Sequence, residues 1–352
     1  MPNPDSKLIS DLALVVIARN ESRCIARCLL SVKNYVDRMV VIDTGSRDNT
    51  VAIAKSCGAE VYSFAWIDDF SAARNAALDF ANADWHLILD ADEWLKSGGE
   101  AIHIASQGLP KIGILQIQSE FDIDGIVGQD NAWIPRLLPK GVRYKGRIHE
   151  QPVSDLERNR LPICIGHDGY NNEHLVKKRN RNQSLLLKEL AMMPEDPYIL
   201  FQLGKDYEIY KDFHQASFYY LKSIELAPKN ASYMHALSIR LLYSLSKSDQ
   251  LEQAIERAQT MMDLWANSPD FFFTVGNLML DWAILNPDDA YSQYLPLAES
   301  AWLHCLEIGE RPDLDGNVVG RGSFLAAHNL AVIYDGLQDP VKADFYKHME
   351  FK

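Results

Sequence analysis

The sequence predicts two successive domains of different class: an α/β domain on a mainly parallel sheet, then an all-α domain of stacked helix pairs. Three observations predict it. Apolar runs of strand length alternate with helical spacing between Leu12 and Leu89. Polar clusters follow three of those runs directly. From about His174 onward strand patterns vanish and the helical period dominates. The 352 residues suffice for two domains, since a typical domain takes roughly 100–200. The expected partition is 1–172 and 173–352.

Leu12–Ala18 is a continuous apolar run, as a strand buried on both faces requires. Ser22–Val32 has helical spacing, with Ile25, Leu29 and Val32 on one side. Met39–Ile42 is the next strand. Asp48-Asn49-Thr50 opens a second helix running to about Cys57, and Ala59–Phe64 is a third strand. Asp69 or Ser71 caps a third helix through Phe80, because a short oxygen side chain satisfies the free amides of a first turn. Trp85–Leu89 is the fourth strand. Between Leu109 and Gly169 short apolar stretches, Gly113–Ile117, Trp133–Leu138, Arg147–Val153 and Leu161–Ile165, predict a mixed or antiparallel extension.

In a parallel sheet covered by helices, ligands bind outside the carboxyl ends of the strands. Arg19-Asn20-Glu21, Asp43-Thr44-Gly45-Ser46 and Asp90-Ala91-Asp92 all stand at such ends, so they are expected to converge on one crevice. Asp90 and Asp92, one residue apart just past an apolar strand, suit a hard cation that takes further oxygens from phosphates and water. Such an ion bridging a diphosphate neutralises the charge on a leaving nucleotide. No GxxxxGK[ST] loop and no GxGxxG follow the first strand, which argues against ATPase and dinucleotide chemistry.

Charge and composition narrow the partners. A formal net charge of −13 gives no counterion-release term on nucleic acid. The longest early apolar run, Leu12–Ala18, is far short of the ~20 residues of a membrane span. Five cysteines, an odd number with no CxxC pair, fit a reducing cytosol. Cys24 and Cys28 share one face of the first predicted helix, as buried thiols do.

Taken in order, Val15–Glu21, Val41–Thr50, Asp69-Phe70-Ser71-Ala72-Ala73-Arg74-Asn75 and Leu89-Asp90-Ala91-Asp92-Glu93 give a pattern that resembles family 2 glycosyltransferases over about residues 10–170. Within them it is similar to the bacterial branch with C-terminal helical repeats, which includes sublancin-type peptide S-glycosyltransferases. It also resembles lipopolysaccharide-core glucosyltransferases. The resemblance implies a GT-A (Rossmann-like) fold, a nucleotide-sugar donor, expected to be a UDP-sugar, and Mn²⁺ or Mg²⁺. It implies that Asp43 recognises the base and that Arg19, Asn20 and Glu21 line the nucleotide pocket. Arg74 is then expected near the diphosphate, Asp90 at ribose and metal, and Asp92 on the metal. Many relatives have a second acidic residue where Thr44 stands, so the base contact falls to Asp43 alone.

The segment Arg147-Ile148-His149-Glu150 also resembles the repeat-bearing branch. Inverting transfer needs a base for the acceptor proton, with Glu150 the first choice and His149 the second. His167, in Ile165–Tyr170, is by family position a candidate third metal ligand, its imidazole suiting Mn²⁺ better than Mg²⁺. Trp133 and Arg136 are placed at the sugar or acceptor site or, for Trp133, in the core.

Pro197–Asn230 matches the 34-residue tetratricopeptide pattern, with Leu200, Leu203, Gly204, Tyr207, Ala216, Tyr220 and Pro228 at the expected offsets. Small Gly204 and Ala216 let two antiparallel helices approach, and Pro228 ends the second. Later units are degenerate: Ala254 and Ala258 mark one, Gly276 with Ala298, Trp302 and Cys305 the next, and Leu330, Ala331, Tyr334 and Ala343 the last. The basic run Lys177–Arg181 precedes them. A repeat surface of this kind holds a peptide, protein or glycan acceptor, or a second copy of the chain. The competing reading is a non-catalytic scaffold with a decayed sugar-nucleotide domain; Asp43, Arg74, Asp90 and Asp92, all intact, argue against it.

Overall fold

The computed structural model describes residues 10–123, 126–167 and 172–349. They group into two compact units. One runs to Asp122 and takes in Ala132–Lys178; the other comprises Ile123–Asn131 and the chain from Arg179 onward. Residues 168–170 and the side chains of 177–180, both within segments singled out above, lie outside the described residues.

In the first unit the strands β1 (Leu12–Ala18), β2 (Arg38–Asp43), β3 (Glu60–Ser63) and β4 (Trp85–Asp90) lie parallel in the order β3-β2-β1-β4. Alternate residues feed two cores, which is why these runs are apolar throughout. Leu12, Leu14 and Val16 of β1 and Trp85, Leu87 and Leu89 of β4 join Ile25, Cys28, Leu29 and Val32 of α1 (Ile25–Val32) and Ala54 of α2 (Thr50–Ser56). On the other face Ala13, Val15 and Ile88 meet Ala77, Leu78 and Ala81 of α3 (Phe70–Ala81). His86 lies on that second alternation, 4% exposed, and its Nε2 has no hydrogen-bond partner among the described residues. Burial pushes its imidazole down to about 4, despite a hydrogen bond with the Leu138 backbone. The cap of α3 is Asp69, whose carboxylate accepts from Ala72 N at 2.9 Å; Ser71 sits inside the helix and donates to Asp69.

The sheet continues past β4 through elements that break the parallel rule. β5 (Glu93–Ser97) follows the carboxylate pair at once, and α4 (Gly99–Ser106) follows β5; neither is expected from the sequence. β6 (Ile112–Ile123), β7 (Ile126–Pro139) and β10 (Arg158–His167) extend the order to β4-β7-β6-β10-β5. β7 is antiparallel to β4, β10 parallel to β6, and β5 antiparallel to β10. The expected strand Arg147–Val153 is shorter: a hairpin of β8 (Arg143–Lys145) and β9 (Gln151–Val153) brackets a loop. Gly146 (φ 102°) and His149 (φ 51°) take left-handed backbone there, which ends any extended run.

The second unit is helical. After α5 (Asn172–Met192) come the pair α6 (Pro197–Ile209) and α7 (Phe213–Leu226), then α8 (Met234–Ser246) and α9 (Leu251–Met261). α10 (Pro269–Leu285), the short α11 (Pro287–Asp289), a π-helical turn (Ala290–Tyr294) and α12 (Leu295–Ile308) form the third. α13 (Phe324–Gly336) and α14 (Pro340–Lys347) form the last. A Cβ on Gly204 would overlap the Tyr220 ring, and one on Gly276 the Trp302 indole, so both glycines are dictated by close helix approach. Phe271 is fully buried in one core with Trp302 and Tyr220. Between α12 and α13 lies β11 (Asn317–Val318), antiparallel to Asp130 and Asn131 at the start of β7. Asp270 fixes it, accepting from Val318 N at 2.8 Å and from Arg321 Nη1 at 3.2 Å. No helix among the described residues is long and apolar enough to cross a membrane, and all five cysteines are free thiols.

Candidate active site

The polar clusters meet at one edge of the first unit. Ala18 is the register partner of Asp43, and Ile17 that of Asp90. The two aspartates therefore flank β1 at two strand spacings, ~10 Å between Cα atoms.

The loops after β1 and β2 are laced by hydrogen bonds from backbone to side chain. Asn20 takes left-handed backbone (φ 58°), donates its N–H to Ser46 Oγ at 2.9 Å and accepts from Arg47 N at 2.8 Å. Glu21 N donates to Thr50 Oγ1 at 2.7 Å, and Glu21 Oε2 accepts from the Cys24 thiol at 3.2 Å. Asp43, buried, turns its carboxylate onto its own loop and accepts from Gly45 N at 3.2 Å and Ser46 N at 3.1 Å. Arg19 is exposed beside them. Asn20 and Asp43 thus shape the loop walls, which sequence reasoning did not foresee for either.

Beside this wall stands a buried ion network. Arg74 on α3, its side chain 7% exposed, donates through Nη2 to Asp90 Oδ1 at 2.6 Å and through Nε to Glu150. Arg136 on β7, equally buried, donates through Nη2 to Asp90 Oδ2 at 2.7 Å and to Glu93 Oε1 at 2.5 Å. Glu93 Oε2 in turn accepts from the Asp90 backbone N–H at 2.9 Å. Burial would raise the Asp90 carboxyl, but the guanidiniums of Arg136 and Arg74 outweigh it and hold the group well below the usual carboxylate range. Burial pushes the Tyr144 phenol up to about 12, against both arginines, so it stays protonated. Its ring lies 5.5 Å from the Arg74 guanidinium carbon. Three donors here have no partner among the described residues: Arg74 Nη1, Arg136 Nε and the Tyr144 hydroxyl. Desolvating ions costs several kcal/mol each, so a network left with unused donors at strand carboxyl ends is a candidate functional site.

Asp92 and His167 form a second pair. His167 Nε2 lies 3.5 Å from Asp92 Oδ2, with side chains 22% and 24% exposed. Ser119 Oγ meets the other ring nitrogen, Nδ1, at 3.1 Å. Burial lowers the His167 imidazole, but the Asp92 hydrogen bond and charge win and raise it. The pair is set by long-range register, His167 of β10 opposite Glu93 of β5. Among the described residues no three of His, Cys, Asp and Glu converge as a metal-binding set. Of the expected trio, Asp92 and His167 meet, while Asp90 is turned to the guanidiniums. A carboxylate and an imidazole whose far nitrogen is anchored fit a divalent ion that completes its shell with phosphate oxygens and water.

The remaining candidates fall around these groups. Glu150 is the partner of Arg74, its side chain 8% exposed, and His149 is exposed in the preceding position. Trp133 is half-buried with Arg160 4.5 Å over its ring. Sequence reasoning assigned no role to Glu93, Tyr144 or Ser119. Glu93 had one visible sign, its place directly after Asp92; Ser119 had none.

The family model described as glycosyl transferase family 2 matches residues 13–99, the span from β1 to the start of α4. A TPR repeat-containing protein of Synechococcus elongatus is 30% identical over 270 residues, 72% of this chain and 66% of that protein. The SPbeta prophage-derived glycosyltransferase SunS of Bacillus subtilis is 31% identical over 241 residues, 64% of this chain and 56% of that one. The chain therefore spans just under two thirds of the first relative and just over half of the second. Among solved structures, MamA aligns with 51% of this chain and 90% of its own at 16% identity and a TM-score of 0.39. The chain carries a family 2 glycosyl transferase domain of GT-A type joined to tetratricopeptide-like helical repeats.

Proposed function

We propose that this chain is an inverting, metal-dependent hexosyltransferase that moves a sugar from a nucleotide sugar, UDP-linked by expectation, to a peptide, protein or glycan acceptor. The observation that carries the reading is the pairing of Asp92 with His167 next to buried Arg74, whose Nη1 has no partner. In this reading a site for a divalent ion adjoins a cation that receives the diphosphate.

In this reading Asp92 and His167 hold Mn²⁺ or Mg²⁺, with Asp90 behind them facing the ribose. When bound, the ion supplies charge neutralisation on the leaving diphosphate. Asp43, together with Arg19, Asn20 and Glu21, walls the nucleotide pocket, with the base at Asp43. Arg74 Nη1 donates to a diphosphate oxygen. Glu150 takes the acceptor proton once Arg74 shares its charge with the phosphates, because a carboxylate bound to a guanidinium alone is a weak base. His149, exposed at the same loop, is the alternative base. The similarity to the glycosyltransferase SunS supports glycosyl transfer, and the repeats are the proposed surface for the acceptor.

Thermal shift with UDP-, GDP-, CDP- and TDP-sugars, each with and without Mn²⁺, tests the reading. A ligand that binds only the folded state raises its melting temperature by mass action. A shift with one nucleotide that needs metal and disappears in D92N is expected. No shift with any nucleotide sugar would overturn it.

A further inference from the structure

Asp90 belongs to the carboxylate pair, yet each of its oxygens is taken by a different arginine. The two arginines are anchored differently. Arg74 is tied to Glu150, in the loop between β8 and β9 where Gly146 and His149 have left-handed backbone. Arg136 is tied to Glu93, itself 4% exposed in its side chain and placed on β5, the last strand in the sheet order. Glu93 closes a ring, since its second oxygen accepts from the Asp90 backbone N–H at 2.9 Å. The Asp90 main chain and side chain are thus both fixed through one Arg136–Glu93 pair, from β7 and β5 of a single sheet.

We propose that Arg136, braced by Glu93, is the positioning residue of the donor site. It fixes the rotamer of Asp90 from the sheet side, leaving Arg74 as the partner that exchanges between Asp90, Glu150 and an incoming phosphate. The inference rests on the donor-site reading above. Three features carry it. Arg136 is 6% exposed, so it reaches a ligand only through Asp90. Its Nη2 serves both carboxylates, at 2.7 and 2.5 Å, so neither moves without the other losing its partner. A planar guanidinium holds that geometry where an ammonium on a flexible stem does not.

A double-mutant cycle between R136Q and D90N tests it, with UDP binding in Mn²⁺ measured by calorimetry on the full chain. R136Q is expected to weaken UDP at least tenfold and to weaken it no further in the D90N background. R136K keeps the charge and loses the rigid planar donor, and is expected to recover less than half of that loss on a logarithmic scale. Since R136Q strands a buried carboxylate, E93Q/R136Q removes both charges together and serves if R136Q does not fold. It is expected to show the same binding loss with a melting temperature close to wild type. Two results overturn the proposal alone: wild-type UDP affinity in R136Q or E93Q/R136Q, and losses from R136Q and D90N that simply add. A wild type that binds no nucleotide overturns the donor-site reading first, and the proposal with it.

Discussion

Arg74 Nε donates to the carboxylate of Glu150, which lies 76 residues further along the chain. The contact joins the residue expected at the diphosphate to the residue expected to take the acceptor proton. It makes the two roles separable by mutation. E150Q keeps the hydrogen-bond acceptor and removes the base, so transfer should fall roughly 10²–10⁴-fold. Nucleotide affinity should hold within a few fold. Single-turnover transfer alongside calorimetric UDP binding checks both. A collapse of affinity with intact turnover would make Glu150 a support for Arg74 instead.

Arg74→Ala leaves buried Glu150 without its cation, while Asp90, 37% exposed, keeps Arg136. Removing one member of a buried ion pair costs about 3–5 kcal/mol. Urea unfolding should show a loss of that size, against about 1 kcal/mol or less for an exposed pair such as Lys111–Glu157.

His167→Ala and D92N should each abolish metal-dependent nucleotide binding while leaving the unliganded melting temperature within a few degrees of wild type. Both side chains are about a quarter exposed, and neither belongs to an apolar core. Retention of Mn²⁺-dependent binding in H167A would remove the imidazole from the site.

Acid should destabilise the first unit through His86. Its folded-state value, about 4, lies below the ordinary 6.5, so the unfolded chain binds the proton first. Stability is therefore full above pH 6.5 and declines as pH falls toward 4. The limit is about 3 kcal/mol, from 1.36 kcal/mol per unit. Denaturant unfolding at pH 7 and pH 5 should show the loss, and H86L should flatten it. An unchanged slope in H86L would place the titration elsewhere.

Gly204→Ala sets a methyl group into the Tyr220 ring. Overpacking typically costs 1–3 kcal/mol, partly offset by about 1 kcal/mol of helix propensity. A modest loss on unfolding is expected, and a gain in stability would show that the two helices have room to part.

The parallel half of the fold is legible because its information is local. Strands buried on both faces must be apolar throughout, and their ends must be polar where a ligand sits. Leu12–Ala18 and Asp90-Ala91-Asp92 show this directly. The first repeat is legible for a similar reason, since Gly204 and Tyr220 fall at the offsets of a 34-residue pattern, which the later units keep only loosely. What escapes depends on pairing across the chain. Glu93–Ser97 has too few apolar residues to announce a strand and becomes one through β10. Gly98-Gly99 looks like a break, yet Gly98 (φ 86°) opens α4 under the Pro162 backbone. Asp90 illustrates the same limit within the site. Its neighbour Asp92 suggests a shared cation, whereas its actual partners come from α3 and β7.

The pairing of β11 with Asp130 and Asn131 has a practical consequence for anyone dissecting the chain. Gly316 N donates to Asn131 O at 3.0 Å, and Val319 N to Gln129 O at 2.9 Å. A fragment beginning at Arg179 looks complete as a run of helices but lacks that complement and leaves a raw strand edge, the kind that recruits foreign strands and precipitates. The repeats are therefore not a cassette to be cut out or traded between relatives. Inheritance of the helices obliges inheritance of the strand segment Gln129–Asn131, encoded some fifty residues upstream, and chimaeras that respect only the linear order of the two folds should fail by aggregation.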